Sequence, residues 1–135
     1  MALQESTAVR NARLDAIETT MGVSAIMKIR TGSVPANCAA ADTGTVLATL
    51  NLPSDWMAAA SSGAKAKAGT WEDTSADATG TAAHFRVYAS DGTTCGMQGT
   101  VTVTGGGGDM TVDNTSFAAA QSFTVTSFTI TAGNA

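Results

Sequence analysis

One histidine, two cysteines and two pairs of aspartates are the residues of this chain that could act as base, nucleophile or metal ligand. His84 lies between Ala83 and Phe85 in an alternating stretch. It falls on the apparent outer face of its strand, which suits a surface or interface histidine better than a general base. Cys38 and Cys95 are far apart and have no CxxC spacing, so a metal site is disfavoured. One disulfide or two separate small buried thiols both fit them. No serine sits in a GxSxG elbow. The glycines at 105–108 lack the Lys and Ser/Thr that complete a phosphate loop, and Asp109 follows them, so a hairpin tip is the expected reading. Asp73 and Asp77 share one loop, and Asp109 and Asp113 flank another. Neither pair has the alternating acids of a calcium loop, and aspartates in turns ordinarily bond their own backbone. The expectation is therefore no catalytic residue, no metal, no cofactor and no enzymatic activity.

Lys65 and Lys67 fall in strand register with Trp71, an arrangement that can stack on a flat ligand or meet an acidic neighbour. The chain carries 7 basic and 11 acidic residues, a net charge of −4, which argues against a nucleic-acid partner. Charged residues make up only 13% of the sequence, about half the usual ~25%. Ala, Thr, Gly and Ser fill the gap. A surface this poor in charge suits protein–protein contact, because interface cores are depleted in charged residues. No stretch of ~18 apolar residues is present to span a membrane. No secretory leader is read at the start, so the Asn114-Thr115-Ser116 sequon is taken as accidental.

The elements that must position these residues follow from periodicity. Residues 3–21 read as one helix, with Leu14, Ile17 and Met21 on a stripe widened by Val9, Ala12 and Ala16. Ser6 or Thr7 caps its start, and Gly22 stops it. The helix is either a lid on the domain's own core or an arm for a neighbouring subunit. Beyond Gly22 the period becomes two. Strands are expected over 24–30, 46–52, 64–71, 83–89, 95–103, from Met110, and over 121–131, with a short helical turn at Trp56-Met57-Ala58. Asp91-Gly92 signals a hairpin. In the last strand, Phe123 and Val125 have one parity and Phe128 and Ile130 the other. A bulge near Thr126-Ser127 would restore a common core face. The expected organisation is an N-terminal helix or arm over 1–22 and a β domain over 23–135, with about seven strands in an antiparallel β-sandwich or barrel.

The segments ALQESTAVRNARLDAIETTMG, MKIRTGSVPANCAAADTGTVLATLNLPSDWM, WEDTSADATGTAAHFRVYASDGTTCGMQGTV and GGGGDMTVDNTSFAAAQSFTVTSFTITAGNA together resemble small virion-associated proteins of tailed bacteriophages. The resemblance spans nearly the whole chain and carries no catalytic motif. A small β domain with an N-terminal arm is similar to the decoration, or cement, proteins that lock the capsids of lambda-like phages. The resemblance implies a virion structural protein, assembled in the bacterial cytoplasm. Its partners would be the major capsid protein or other virion proteins, and copies of itself in a trimer or dimer. Val9, Arg10, Arg13, Lys65, Lys67 and Trp71 are the candidate contact residues. Two other readings stand beside this one: a tail, neck or fibre component, and a host-carbohydrate-binding module. The latter needs an exposed aromatic platform from Trp56, Trp71 or Tyr88.

Overall fold

The computed structural model describes residues 3–133. Met1, Ala2, Asn134 and Ala135, at the outer ends of the two expected units, lie outside the described residues. The chain is mainly β with one N-terminal helix, α1 (Thr7–Met21). The Ser6 hydroxyl accepts from Val9 N at 3.2 Å, and Gly22, at φ 84°, donates to Glu18 O at 2.8 Å. Both ends are thus fixed by the residues expected to fix them.

Eleven short strands follow among the described residues: β1 (Ile26–Arg30), β2 (Val46–Asn51), β3 (Ala64–Ala66), β4 (Trp71–Asp73), β5 (Gly80–Thr81), β6 (His84–Tyr88), β7 (Cys95–Val103), β8 (Met110–Val112), β9 (Ser116–Phe117), β10 (Phe123–Val125) and β11 (Thr129–Thr131). The main sheet has the order β2-β1-β6-β7-β8, and three two-stranded ladders, β10-β4, β11-β3 and β5-β9, accompany it. Met27 pairs with Val87 and Ile29 with Phe85, so one face of the sheet is apolar. Against it pack Trp56, Trp71 and Phe128. The Trp71 and Phe128 rings are 5.4 Å apart, and Phe128 meets Phe85 edge-on at 5.7 Å.

Several expectations are corrected. The sheet is mixed, because β7 and β8 run parallel. Residues 105–108 are not a hairpin tip. Gly105 and Gly107 adopt φ of +87° and +79°, and a Cβ on Gly106 or Gly108 would lie within 2.8 Å of the Thr102 side chain. Only glycines let the chain fold back tightly enough to lie beside β7 in the same direction. Residues 56–58 form no helical turn, since Met57 bridges Lys67 in extended pairing. The strand expected over 64–71 breaks into β3 and β4 at Gly69, φ +68°. The phase slip of the last strand is a change of partner, β10 on β4 and β11 on β3, and not a bulge in one ladder. Its purpose is as expected: Phe123, Val125 and Phe128 are buried, and Ile130 packs partly against the core.

The helix packs against the chain's own core through Ile17 and Met21. Its apolar stripe is narrower than expected: Leu14 is buried, Ile17 and Met21 are partly so, and Ala12 and Ala16 are exposed. Polar bonds make up the difference. Asn11 Oδ1 accepts from Gly63 N and Asp15 Oδ1 from Ala60 N, each at 2.9 Å. Trp56 Nε1 donates to Gly22 O at 2.9 Å.

Candidate functional site: a loop pinned to the charged face of the sheet

The second face of the main sheet is charged. Lys28 pairs with Arg86 and Arg30 with His84 across β1 and β6, and Arg86 pairs with Gln98 across β6 and β7. Alternation assigns these residues correctly to one face, but that face is not outer. His84 is 0% exposed and Arg86 2%. The loop of residues 31–45 covers them, which corrects the expectation of a surface histidine.

Each buried donor on this face holds part of that loop. Arg86 Nη2 donates to Asn37 O at 3.1 Å and to Cys38 O at 3.0 Å, and its Nη1 donates to Ala40 O at 3.2 Å and pairs with the Asp42 carboxylate. Arg30 Nη2 reaches Asp42 Oδ2 at 2.9 Å, and Tyr88 Oη donates to Asp42 Oδ1 at 2.7 Å. Gln98 Nε2 donates to Pro35 O at 2.6 Å. His84 Nδ1 lies 2.8 Å from Gly32 O. A carbonyl only accepts, so Nδ1 carries the proton and His84 is the Nδ1–H tautomer. The foot of the loop closes through Thr31 and Thr45. Gly44 there has φ +71° and a Cβ position 1.9 Å from Thr31 O, so no other residue fits without movement.

Electrostatics follow from this geometry. Burial would raise the Asp42 carboxyl, but the Tyr88 hydroxyl, Arg86 and Arg30 outweigh it and hold the group below its ordinary value. Burial also works against the charge on Arg86, and Asp42 reverses that effect. Tyr88 is pushed up to about 12 by burial, with its bond to Asp42 adding. His84 is lowered, first by burial and then by the neighbouring arginines, despite its bond to Gly32. It is a neutral buckle for the loop, and no carboxylate orients it as a base.

The expected contact residues scatter. Val9 (47% exposed) and Arg13, paired with Glu5, lie at the helix surface. Arg10 is half-buried and donates to Ala132 O at 3.2 Å. Lys67 stands over the Trp71 ring, 5.8 Å from its centroid. Lys65 and Trp71 are interior, which corrects their place in a contact patch: Trp71 is 0% exposed and Lys65 2%. Lys65 Nζ meets Asp15 Oδ1 at 2.8 Å, Glu18 Oε2 at 3.3 Å and Ala58 O at 2.9 Å. The missed signal was on the helix, where Asp15 and Glu18, three residues apart, share a face.

Three of the four aspartates bond mainly to strand residues distant in sequence, and only Asp73, whose Oδ1 accepts from Ser75 N, also bonds its own turn. Asp73 Oδ2 accepts from Thr49 N at 2.9 Å, Asp77 Oδ2 from Thr49 Oγ1 at 2.7 Å, and Asp109 Oδ2 from Thr100 N at 2.9 Å. Among the described residues, no group of three or more His, Cys, Asp or Glu is placed to hold a metal ion. All seven aromatic side chains, Trp56, Trp71, Phe85, Tyr88, Phe117, Phe123 and Phe128, are buried.

Among the described residues, the outward surface includes a loop, strand edges and the exposed apolar side chains of Leu3, Val9, Val23 and Val103. Ala36, Ala39, Ala41, Thr43 and Thr45 of the loop are exposed, small and uncharged. The edge strand β8 and β10 border a cleft of about 190 Å³, lined mostly by Thr, Ser, Asn and Gln with no Lys or Pro. No described helix is long and apolar enough to cross a membrane. Compared with protein-family models, curated proteins and solved structures, the chain matches none.

Proposed function

We propose that this protein is a non-enzymatic structural component of a tailed-bacteriophage particle, specifically a decoration protein that docks on the capsid shell. One observation carries the reading. Arg30 and Arg86 of the main sheet point inward and fix the 31–45 loop, and the exposed side chains of that loop are small and nearly all uncharged. Fixing a loop before docking removes an ordering cost of about 0.5–1.5 kcal/mol per flexible side chain at the moment of association. A charge-poor, pre-ordered surface is what a subunit joint needs. The open edges of β8 and β10 support the same reading, since monomeric proteins blunt such edges with Lys or Pro. Self-association through one of these edges, as a trimer or dimer, belongs to the proposal. So does the view that the sheet and its small ladders close over one core as a barrel- or sandwich-like unit.

Placement in the tail, neck or a fibre uses the same surfaces and differs only in copy number. The carbohydrate-binding reading loses its support, because none of the seven aromatic rings is exposed to form a platform. The test is co-sedimentation of the purified chain with emptied heads of the phage that encodes it, and separately with its tails. Wild type is expected to pellet with heads. Ala39→Glu with Ala41→Glu should abolish binding while leaving the melting temperature unchanged. Binding to neither heads nor tails would overturn the proposal.

A further inference from the structure

Cys38 and Cys95 are 57 positions apart in sequence, yet the fold brings both to the charged side of the main sheet, within reach of one another, where the Cys95 thiol donates to Met97 O at 3.4 Å. Two features bring them together. On β7, Met97 pairs with Val87, but Cys95 pairs with Tyr88, so one extra residue, Gly96, is bulged out between them. Without that bulge Cys95 would share the parity of Met97 and face the apolar core. With it, Cys95 faces the charged side together with Tyr88. Gly96 is suited to the bulge, because a Cβ there would lie 2.8 Å from the Met21 side chain. On the loop, Arg86 Nη2 holds the Cys38 carbonyl at 3.0 Å, and the flanking carbonyls of Asn37 and Ala40 are held by the same guanidinium. Both cysteines are free and half-buried.

We propose that Cys38 and Cys95 are a disulfide pair, reduced as the chain folds and closed by thiol–disulfide exchange in an oxidising medium, which fastens the 31–45 loop covalently to β7. The inference does not depend on the docking role of the loop. With oxidised glutathione as the oxidant, the first sulfur attacks the glutathione disulfide, forms a mixed disulfide and releases one glutathione thiolate. The second sulfur then displaces the other glutathione. Two protein thiols and one glutathione disulfide become one protein disulfide and two glutathione thiols, which carry away both protons and two electrons. Burial, with the neighbouring Cys38 adding, pushes the Cys95 thiol up to about 11, which disfavours Cys95 as the attacking thiolate at neutral pH and suits it to the resolving step.

The test is incubation of the purified full chain with oxidised glutathione, read by intact mass, non-reducing peptide mapping and thermal melting. Expected results are loss of two hydrogens, a single cross-linked peptide joining Cys38 to Cys95 within one chain, and a melting temperature higher by about 10 °C than the reduced form. Amide exchange over residues 37–42 should slow on oxidation. Cys95→Ser should stop at one glutathione adduct on Cys38. Unreacted thiols, stable glutathione adducts on both cysteines of the wild type, cross-linked dimers, or an intramolecular bond that leaves the melting temperature unchanged or lowers it would each overturn the proposal.

Discussion

The Arg86 guanidinium on β6 pairs with the Asp42 carboxylate in the 31–45 loop and thereby ties a central strand to the segment that covers its charged face. Arg86 is 2% exposed at its side chain, while Asp42 is 39% exposed. The two partners should therefore differ in what their loss costs. Asp42→Asn leaves two buried arginines without their counter-charge and should destabilise by about 3 kcal/mol. Arg86→Met leaves a carboxylate that water can reach but frees three loop carbonyls, and should cost about 2 kcal/mol with increased mobility in the loop. Arg86→Lys should not restore the loop, because an ammonium cannot reproduce the planar fork. Denaturant melts with amide exchange over residues 31–45 check all three.

The same asymmetry applies under the helix. Lys65 is 2% exposed, whereas its partners Asp15 and Glu18 are 46% and 21% exposed. Burial works against the Lys65 charge, and the two carboxylates more than compensate, raising its value. The double change Asp15→Ala with Glu18→Ala strands a buried ammonium and should cost about 3–5 kcal/mol. Lys65→Met should cost only about 1 kcal/mol, since water solvates the carboxylates left behind. Equal losses in urea unfolding would contradict this account of how α1 is held.

His84 makes stability pH-dependent in a defined window. Its folded value is lowered from 6.5, so below that pH the unfolded chain takes up a proton that the folded chain resists. The contribution is fully present above about pH 6.5 and is lost as pH falls, with a slope of at most about 1.4 kcal/mol per pH unit. Asp42, also lowered, acts in a separate window below its ordinary 3.8. His84→Asn keeps a donor for the Gly32 carbonyl and removes the titration. Melting temperatures between pH 5 and 7 should then be flatter than in the wild type.

Phe128 closes the aromatic chain between Trp71 and Phe85. Phe128→Ala should cost about 3–5 kcal/mol by the cavity it opens. Ile130→Ala, at a partly buried position, should cost less. Chemical denaturation of the two variants compares them directly.

How much of this was legible in the sequence depends on whether the deciding contacts are local. Ser6 and Gly22 bound the helix as read, because caps are local devices. The alternation of His84, Phe85, Arg86, Val87 and Tyr88 assigned faces correctly. It could not say that a loop 40–50 residues earlier in the chain covers the polar face, since that is a tertiary event. The alternation of Lys65 with Ala64 and Ala66 suits an outer strand face, and only the acids of the distant helix turn it inward. Four consecutive glycines ordinarily mean a flexible tip, which hides the parallel β8 from a sequence reading. Here the Thr102 hydroxyl accepts from Gly108 N at 3.0 Å and shapes the run into a fixed reversal.

The central claim, that this chain is a virion structural protein of the capsid surface, is tested most directly by copy number. Quantitative mass spectrometry of purified particles of the phage to which the proposal assigns it would compare the chain with the major capsid protein. The account predicts on the order of hundreds of copies per particle, in a fixed ratio to the capsid subunit, as symmetric decoration of a shell requires. About a dozen copies or fewer would move the protein to the neck, tail or a fibre. Its absence from purified particles would contradict the account.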